Sequence, residues 1–317
     1  MIIEAAVAAL LATATEWRNG GDSVQRFVVP GSPYVSTVTR RLGATAGVVF
    51  DTSGKPRDVD GTTTTQRPDC LAPEAPAADG IQETSRQRAI VPERAVIDVM
   101  ELYTFAAENG AGGRAPIEAK IAAAVDLLNA TLLQSRIYNV SFRLVHVGRI
   151  DREENVGQLQ LLNWLSSDQT VGRLRQQYAA DLVGLWTEAD AEIAWTPRSF
   201  TSSSGFHVLC RRYPLSLQLF SHEVAHNLGA QHNAEQLGNL PNDPYPFARG
   251  VVSSKWMTVM SYAPSGEWRD TLPLFSNPEL ERDGVPLGVA GQADNARMIR
   301  TAGPIVADYF RTADGLK

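Results

Sequence analysis

The chain has 317 residues, which is more than one compact domain usually needs. Apolar residues make up 44% and charged residues 20%, a balance typical of a globular protein and not of a disordered or fibrous one. The formal net charge of −6 argues against a general nucleic-acid binder, because such proteins need a surface rich in Lys and Arg. No stretch approaches the ~20 apolar residues of a membrane-spanning helix. We therefore expect neither a nucleic-acid nor a membrane partner.

The first 94 residues are predicted to lie outside the main domain. Residues 5–11 form an apolar run that resembles the second half of a secretion signal without its basic start; the alternative is a buried segment. Residues 51–94 are rich in Thr, Pro, Gly, Asp and Ala without an apolar period, which is typical of a linker. We interpret residues 1–94 as signal remnant, pro-region and linker, residues 95–317 as the main domain, and the protein as secreted.

Strand and helix signals alternate from residue 95 onward. The run Ala95–Tyr103 has the length and apolar content of a buried strand. Pro116 opens a segment with an apolar stripe at helical spacing, and Asp168 is placed to cap a second helix. The stripe consists of Ile117, Ile121, Val125, Leu128 and Leu132. Further strands are predicted at residues 140–147, 180–186, 193–195 and 206–209. This alternation predicts an α/β (α+β) fold with a mixed sheet.

The most informative stretch is residues 216–232, which holds three of the five histidines of the chain. Residues four apart in a helix lie on one face, so His222 and His226 point the same way and can bind one metal ion. Glu223 lies beside that face without being forced to bind the ion. It is therefore a candidate general base that takes a proton from a zinc-bound water.

Gly229 explains how a third ligand reaches the site. A glycine can adopt the positive φ that ends a helix and turns the chain back, which brings His232 toward the metal. Three imidazoles leave one zinc position to water, the open geometry of a catalytic site. The alternative is an accidental motif, since an isolated HExxH is short. Five residues at fixed spacing have a chance expectation of about one in 100,000 in such a composition, which disfavours an accident.

The motif resembles that of the metzincins, zinc metallopeptidases with the pattern HExxHxxGxxH followed by a methionine-containing turn. Residues 258–262, Thr-Val-Met-Ser-Tyr, resemble this Met-turn. The resemblance implies that Met260 belongs to an apolar base beneath the zinc site. It also places Tyr262 where some metzincins carry a tyrosine that supports the tetrahedral intermediate. The alternative for Tyr262 is simple packing in the turn.

Residues 97–310 resemble most closely the bacterial reprolysin-like peptidases, including the peptidyl-Asp metallopeptidases. This resemblance implies a metzincin catalytic domain with a twisted, mostly parallel sheet, an active-site helix, a Met-turn and a final helix. Residues 192–195 are implied to form the edge strand along which an extended substrate lies. We therefore expect protein or peptide substrates, a Zn²⁺ cofactor and a monomer.

The chain departs from the reprolysin pattern in two places. Asn233 stands where the family usually has Asp, which removes a charge behind the third histidine. The usual partner of Cys210 is missing, because Ala191 and Glu192 stand where relatives carry Cys-Gly. Cys70 lies in the predicted pro-region, where it is open to three roles: zinc ligand of an inactive zymogen, disulfide partner of Cys210, or free thiol.

Two further alternatives concern the role of the metal. In a gluzincin a distant glutamate replaces the third histidine, with Glu267 or Glu279 as candidates, but the spacing of Gly229 and His232 disfavours this. A non-catalytic protein that keeps zinc for structure is disfavoured by the intact Glu223. The sequence therefore predicts a zinc-dependent metalloendopeptidase with the histidine ligands and the general base named above.

Overall fold

The computed structural model describes residues 94–310, except 214–215, 239–241, 266 and 268, and five strands nearer the amino terminus. These five strands pair antiparallel in chain order in one sheet. They are β1 (Thr13–Asn19), β2 (Asp22–Val28), β3 (Val35–Arg41), β4 (Ala44–Phe50) and β5 (Pro56–Asp58). The predicted signal remnant lies outside the described residues apart from the start of β1. The predicted linker also lies outside them, apart from β5 and Arg94.

A second five-stranded sheet forms the centre of the part described from residue 94 onward. Its strands are β6 (Ala95–Tyr103), β7 (Val140–Arg149), β8 (Leu182–Thr187), β9 (Glu192–Ala194) and β10 (Phe206–Cys210). They are ordered β7-β6-β8-β10-β9, with β9 antiparallel to β10 and the other neighbours parallel. This arrangement confirms the predicted mixed α/β fold.

Seven helices are described from residue 94 onward; the first four connect strands of this sheet, and the last three follow it in the chain. They are α1 (Phe105–Gly110), α2 (Arg114–Gln134), α3 (Gln158–Ser167), α4 (Gln169–Gln177), α5 (Ser216–Asn227), α6 (Ala234–Leu237) and α7 (Asn295–Val306). The five apolar residues that predicted α2 are all buried. The carboxylate of Asp168 accepts hydrogen bonds from the backbone N–H groups of Thr170 and Val171 at 2.8 and 3.0 Å. It therefore caps α4 as predicted.

The central sheet separates two apolar cores. Because side chains alternate along a strand, Ile97 and Val99 of β6 pack with α2, α5 and α7 on one face. Met100 and Leu102 pack with α3 and α4 on the other face. Among the described helices, none combines the length and the apolar character needed to cross a membrane.

Two short strand pairs lie beyond α6. They are β11 (Trp256–Met257) with β12 (Asp270–Thr271), and β13 (Asn277–Arg282) with β14 (Val285–Leu287). The β13–β14 hairpin turns at Asp283 and Gly284, whose φ angles are 53° and 75°. Two consecutive positive φ angles are typical of a type I′ turn, for which Asp-Gly is a favoured sequence. This hairpin, like α1 and α3, is not among the elements predicted above.

Candidate metal centre

Helix α5 carries the first two histidines of the motif. His222 and His226 are one helical turn apart and fully buried. Phe220 and Val224 of the same helix belong to the apolar core on the sheet. The helix thus has one face on the core and another that presents both imidazoles. Glu223 is also fully buried, and its place directly after His222 sets it beside the imidazole face.

The chain reverses at the end of α5 through Gly229, whose φ is 79°. The Gly229 N–H donates to the carbonyl of His226 at 2.8 Å, which closes the last turn. A Cβ at Gly229 would lie 3.1 Å from both Met298 and Phe200, so the position also needs a residue without a side chain. The structure has the predicted left-handed turn, and it returns the chain so that His232 faces the other two histidines.

The three histidines converge through one atom each. The Nε2 atoms of His222, His226 and His232 form a triangle with edges of 3.1, 3.0 and 3.0 Å. Nitrogen ligands at ~2.0–2.1 Å in a tetrahedral zinc site are about 3.3 Å apart, so the triangle is close to the size zinc requires. Within the described part of the chain, this is the group of three side chains able to share one ion.

In two of these histidines, the contact made by the other ring nitrogen, Nδ1, shows which nitrogen carries the ring proton. His222 Nδ1 lies 2.8 Å from the carbonyl of Val259, and His226 Nδ1 lies 2.8 Å from the carbonyl of Ala230. Because a carbonyl only accepts, both Nδ1 atoms are donors, and in a neutral ring the Nε2 atom then carries a lone pair. Two lone pairs that face each other at 3.0 Å repel, and a cation between them removes the repulsion.

The predicted Met-turn segment lies against the metal centre. Met260 is fully buried in the same apolar core as α5, and the N–H of Val259 donates to the carbonyl of Leu274 at 2.9 Å. The carbonyl of Val259 is the group that accepts from His222. The turn therefore contacts the first histidine through its backbone.

Tyr262 stands edge-on to two of the imidazoles. Its ring centroid lies 4.9 Å from that of His232 and 5.8 Å from that of His222, with interplanar angles of 74° and 84°. Its N–H donates to Asn233 Oδ1 at 2.9 Å, while Asn233 Nδ2 donates to Glu235 at 3.0 Å. An aspartate in place of Asn233 would keep the first hydrogen bond but lose the second.

A buried clamp around Gln231, the residue before the third histidine, was not predicted from the sequence. The Gln231 N–H donates to the carbonyl of Ala248 at 2.8 Å. The side-chain amide of Asn295 bonds both backbone groups of Gln231. Its Oδ1 accepts from the Gln231 N–H at 3.3 Å, and its Nδ2 donates to the Gln231 carbonyl at 3.2 Å. Asp243 accepts from the Gln231 side chain and pairs with Arg249 at 2.6 Å. Burial lowers the pKa of Arg249, and the Asp243 carboxylate opposes that shift.

The glutamates considered as distant ligands lie elsewhere. Glu267 pairs with Arg269, and Glu279 on β13 lies 4.0 Å from Arg136. Neither belongs to the group of side chains able to share an ion, so the geometry favours the three-histidine arrangement.

Cys210 is buried at the end of β10, and its thiol donates to the carbonyl of Glu188 at 3.4 Å. Burial raises the pKa of this thiol, which makes it a weak nucleophile. Cys70 lies outside the described residues, so the three roles considered for it stay predictions.

A mixed α/β domain in which three imidazoles converge beside a helical glutamate defines the class of zincin-like metallopeptidase domains. A comparison with known families agrees, since the reprolysin-type description of metallo-peptidase family M12 matches residues 96–276. This span is more than half of the 317 residues, and the chain belongs to metallopeptidase family M12. The predicted reprolysin-like resemblance is confirmed.

Two similar proteins are both named as metalloendopeptidases. A peptidyl-Asp metalloendopeptidase of Pseudomonas aeruginosa is 32% identical over 245 residues, which cover 68% of this chain and 40% of that protein. A protein of the same name from Xanthomonas campestris is 38% identical over 82 residues, or 25% of this chain and 19% of that protein. This chain therefore spans less than half the length of these relatives.

The fold has a counterpart among solved structures. One chain in the structure of a chaperone-substrate complex aligns with 87% of this chain and 39% of its own length, with a TM-score of 0.57. The two sequences are 17% identical, so the likeness concerns the fold alone.

Proposed function

We propose that this chain is a zinc-dependent endopeptidase in which His222, His226 and His232 bind one zinc ion. The observation that carries the proposal is the triangle of Nε2 atoms, 3.0–3.1 Å apart, with two of its rings held in the metal-binding tautomer. Imidazole nitrogens suit zinc, and three of them leave the open position of a catalytic site. Zinc bound there would act as a Lewis acid and lower the pKa of a coordinated water to about 7.

Glu223 is the proposed general base. Its carboxylate takes a proton from the attacking water and then gives it to the amide nitrogen that leaves. Its complete burial supports this role, because electrostatic interactions are stronger where bulk water is excluded.

Tyr262 is proposed to donate a hydrogen bond to the oxyanion that develops on the substrate carbonyl. The ring contacts with His222 and His232 support this role. Residues 258–262 are proposed as the Met-turn. The buried Met260 and the hydrogen bond between His222 and the Val259 carbonyl support that assignment.

The proposed substrate is a protein or peptide that lies extended along β9. This strand is at the edge of the central sheet. The N–H of Trp195, the residue after β9, donates to the carbonyl of Phe206 on β10. Because backbone groups alternate in an antiparallel ladder, those of Ala194 point away from β10, toward the side where an added strand would lie. Ala194 is fully buried in this structure, so an added strand would have to displace the groups that cover it. The name of the relatives, peptidyl-Asp metalloendopeptidase, agrees with such substrates.

The remaining proposals concern the protein as a whole. We propose a secreted monomer whose residues 1–94 hold a signal remnant, a pro-region and a linker, with residues 95–317 as the catalytic domain. The family match to residues 96–276, inside the proposed catalytic domain, supports this division.

Metal analysis and a casein assay test the proposed mechanism on the wild type, Glu223→Ala and Glu279→Ala. We expect one zinc per chain in all three proteins and hydrolysis that a chelator abolishes. Hydrolysis should fall at least about 10²-fold in Glu223→Ala, because the general base is lost. Glu279 is the matched control, since its exposed carboxylate is one of the distant ligands that a gluzincin would use.

Absence of zinc in the wild type, or full hydrolysis by Glu223→Ala, would contradict the mechanism. Loss of zinc in Glu279→Ala would favour the gluzincin arrangement. A zinc-loaded wild type that cleaves no member of a broad peptide library would favour the non-catalytic zinc protein.

A further inference from the structure

A buried pair of ionisable side chains lies beneath helix α5. Glu101 on β6 and His207 on β10 are both fully buried, and Glu101 Oε1 lies 3.3 Å from His207 Nε2. The intervening strand β8 passes under the pair at Gly184. A Cβ at this position would overlap both side chains. A glycine is therefore needed here for Glu101 and His207 to meet across β8. Trp186 Nε1 donates to the other Glu101 oxygen at 2.9 Å.

Asn227 connects this pair to three backbone carbonyls. Its Nδ2 lies 3.0 Å from the carbonyls of Trp195 and Ser204 and 2.9 Å from that of Phe206. Since carbonyls only accept, the amide orientation is fixed, and Asn227 Oδ1 faces His207 Nδ1 at 3.1 Å. His207 Nδ1 is therefore a donor and carries a proton.

The two side chains meet in a polar contact between the strands. His207 Nε2 faces Glu101 Oε1 at 3.3 Å, and neither atom has a hydrogen-bond partner among the described residues. This fully buried contact joins β6 to β10 across β8.

The chain of contacts ends at the metal centre. Asn227 directly follows His226 at the last position of α5. Phe220, two turns earlier on the helix, packs on the His207 ring at 5.6 Å with an interplanar angle of 69°. The Trp195 carbonyl bound by Asn227 belongs to the residue that follows β9. One amide thus touches the end of the metal-binding helix, the sheet and the edge strand.

We propose that Glu101, His207 and Asn227 are positioning residues that fix His226 relative to the edge strand β9. The Glu101 carboxylate contacts His207, the His207 ring bonds Asn227, and Asn227 secures the last turn of α5. This inference rests on the proposed function, in which His226 binds zinc and β9 binds substrate. Removing one partner of a buried polar pair also lowers stability, so the test needs a control variant that loses stability without touching the pair.

The rate of zinc release to an excess of a chelating dye tests this inference on the full chain. Glu101→Leu leaves His207 Nε2 without a partner, and we expect zinc release about tenfold faster than in the wild type. Glu101→Gln is the conservative variant. Its amide donates to His207 and accepts from Trp186, so release should stay within about twofold of the wild type. Leu102→Ala is the stability control, because Leu102 is buried on the opposite face of the same strand.

The comparison between Glu101→Leu and Leu102→Ala separates positioning from loss of stability. Equal release rates in these two variants, or equal rates in Glu101→Leu and Glu101→Gln, would overturn the inference. If Glu101→Leu does not fold, nitrogen-15 spectra of the zinc-loaded wild type decide instead. We expect a slowly exchanging ring proton on His207 Nδ1, and an unprotonated Nδ1 would refute the network. A wild type without zinc would refute the proposed function itself.

Discussion

Tyr262 illustrates how one residue near the metal centre is held from two sides. Its ring packs against the edges of two imidazoles, and its backbone N–H is bound by the side chain that follows the third histidine. These contacts use the ring and the backbone, and they leave the role of the hydroxyl to be tested separately.

Tyr262→Phe keeps the ring contacts and removes only the hydroxyl. We expect kcat to fall by about 10²-fold with unchanged KM and zinc content, because the lost hydrogen bond acts on the transition state. Steady-state kinetics on a chromogenic peptide and metal analysis measure these quantities. Tyr138→Phe is the control, since that ring is 62% exposed. An unchanged kcat in Tyr262→Phe would mean that the tyrosine only packs in the turn.

The sequence predicts some of these residues better than others. The spacing of His222 and His226 and the glycine at 229 depend on helix geometry alone, so they are readable from a single segment. The carbonyl that orients His222 belongs to Val259, 37 positions away, and the Glu101–His207 pair joins strands 106 positions apart (207 − 101). Such partners are set by the register of the sheet and by loop paths, which no local pattern encodes.

Helix α7 carries none of the three histidines, but it contacts the loop that leads to the third. The helix begins at Asn295, which is fully buried and whose N–H donates to the Ser276 hydroxyl at 2.8 Å. The side chain of Asn295 bonds both backbone groups of Gln231. The first turn of α7 therefore holds the loop that carries the third histidine.

Asn295→Ala removes both of these hydrogen bonds and leaves the Gln231 carbonyl without this partner. We expect the free energy of unfolding to fall by about 1–3 kcal/mol and the affinity for zinc to fall about tenfold. Urea denaturation and zinc titration measure the two effects. Thr301→Ala on the exposed side of the same helix should change the free energy of unfolding by less than about 0.5 kcal/mol. Equal effects of the two substitutions would contradict the clamp.

Elements with a single strong signal are predicted well from the sequence. Strand β6 has its predicted bounds, and α4 begins at its predicted cap. Helix α3 escapes prediction because its N-cap is Gly157, which has no capping side chain, and because the exposed Leu159 obscures the face formed by Leu161, Leu162 and Leu165. The β13–β14 hairpin has a readable Asp-Gly turn, but its strands carry polar residues that hide the alternation.

Across the whole molecule, buried phenols make stability depend on alkaline pH. Burial, followed by the nearby Glu118 carboxylate, raises the pKa of Tyr103 to about 12, and burial raises that of Tyr309 to about 12. The usual value is about 10. An acid whose pKa is raised on folding stabilises the fold below its unfolded pKa and loses that contribution as pH rises through its folded pKa. These contributions are therefore complete below about pH 10 and lost by about pH 12.

Urea denaturation at pH 8 and pH 11 tests this on the wild type, Tyr103→Phe and Tyr138→Phe. The wild type should lose stability between the two values, and Tyr103→Phe should lose less, since it has no phenol to ionise at that site. Arg175, whose pKa burial lowers to about 10, acts in the opposite sense in all three proteins and cancels in the comparison. A pH dependence of Tyr103→Phe equal to that of the wild type would refute the assignment.

The place of α7 in the chain has a consequence for biosynthesis. Asn295 is made 64 residues after Gln231, and a ribosome that adds about 5–20 residues per second needs about 3–13 s for that distance. During this interval the histidine motif has been translated while the helix that secures its third member has not. A nascent polypeptide therefore carries an unfinished metal pocket, and the cleavage activity proposed here should arise only after α7 has been translated.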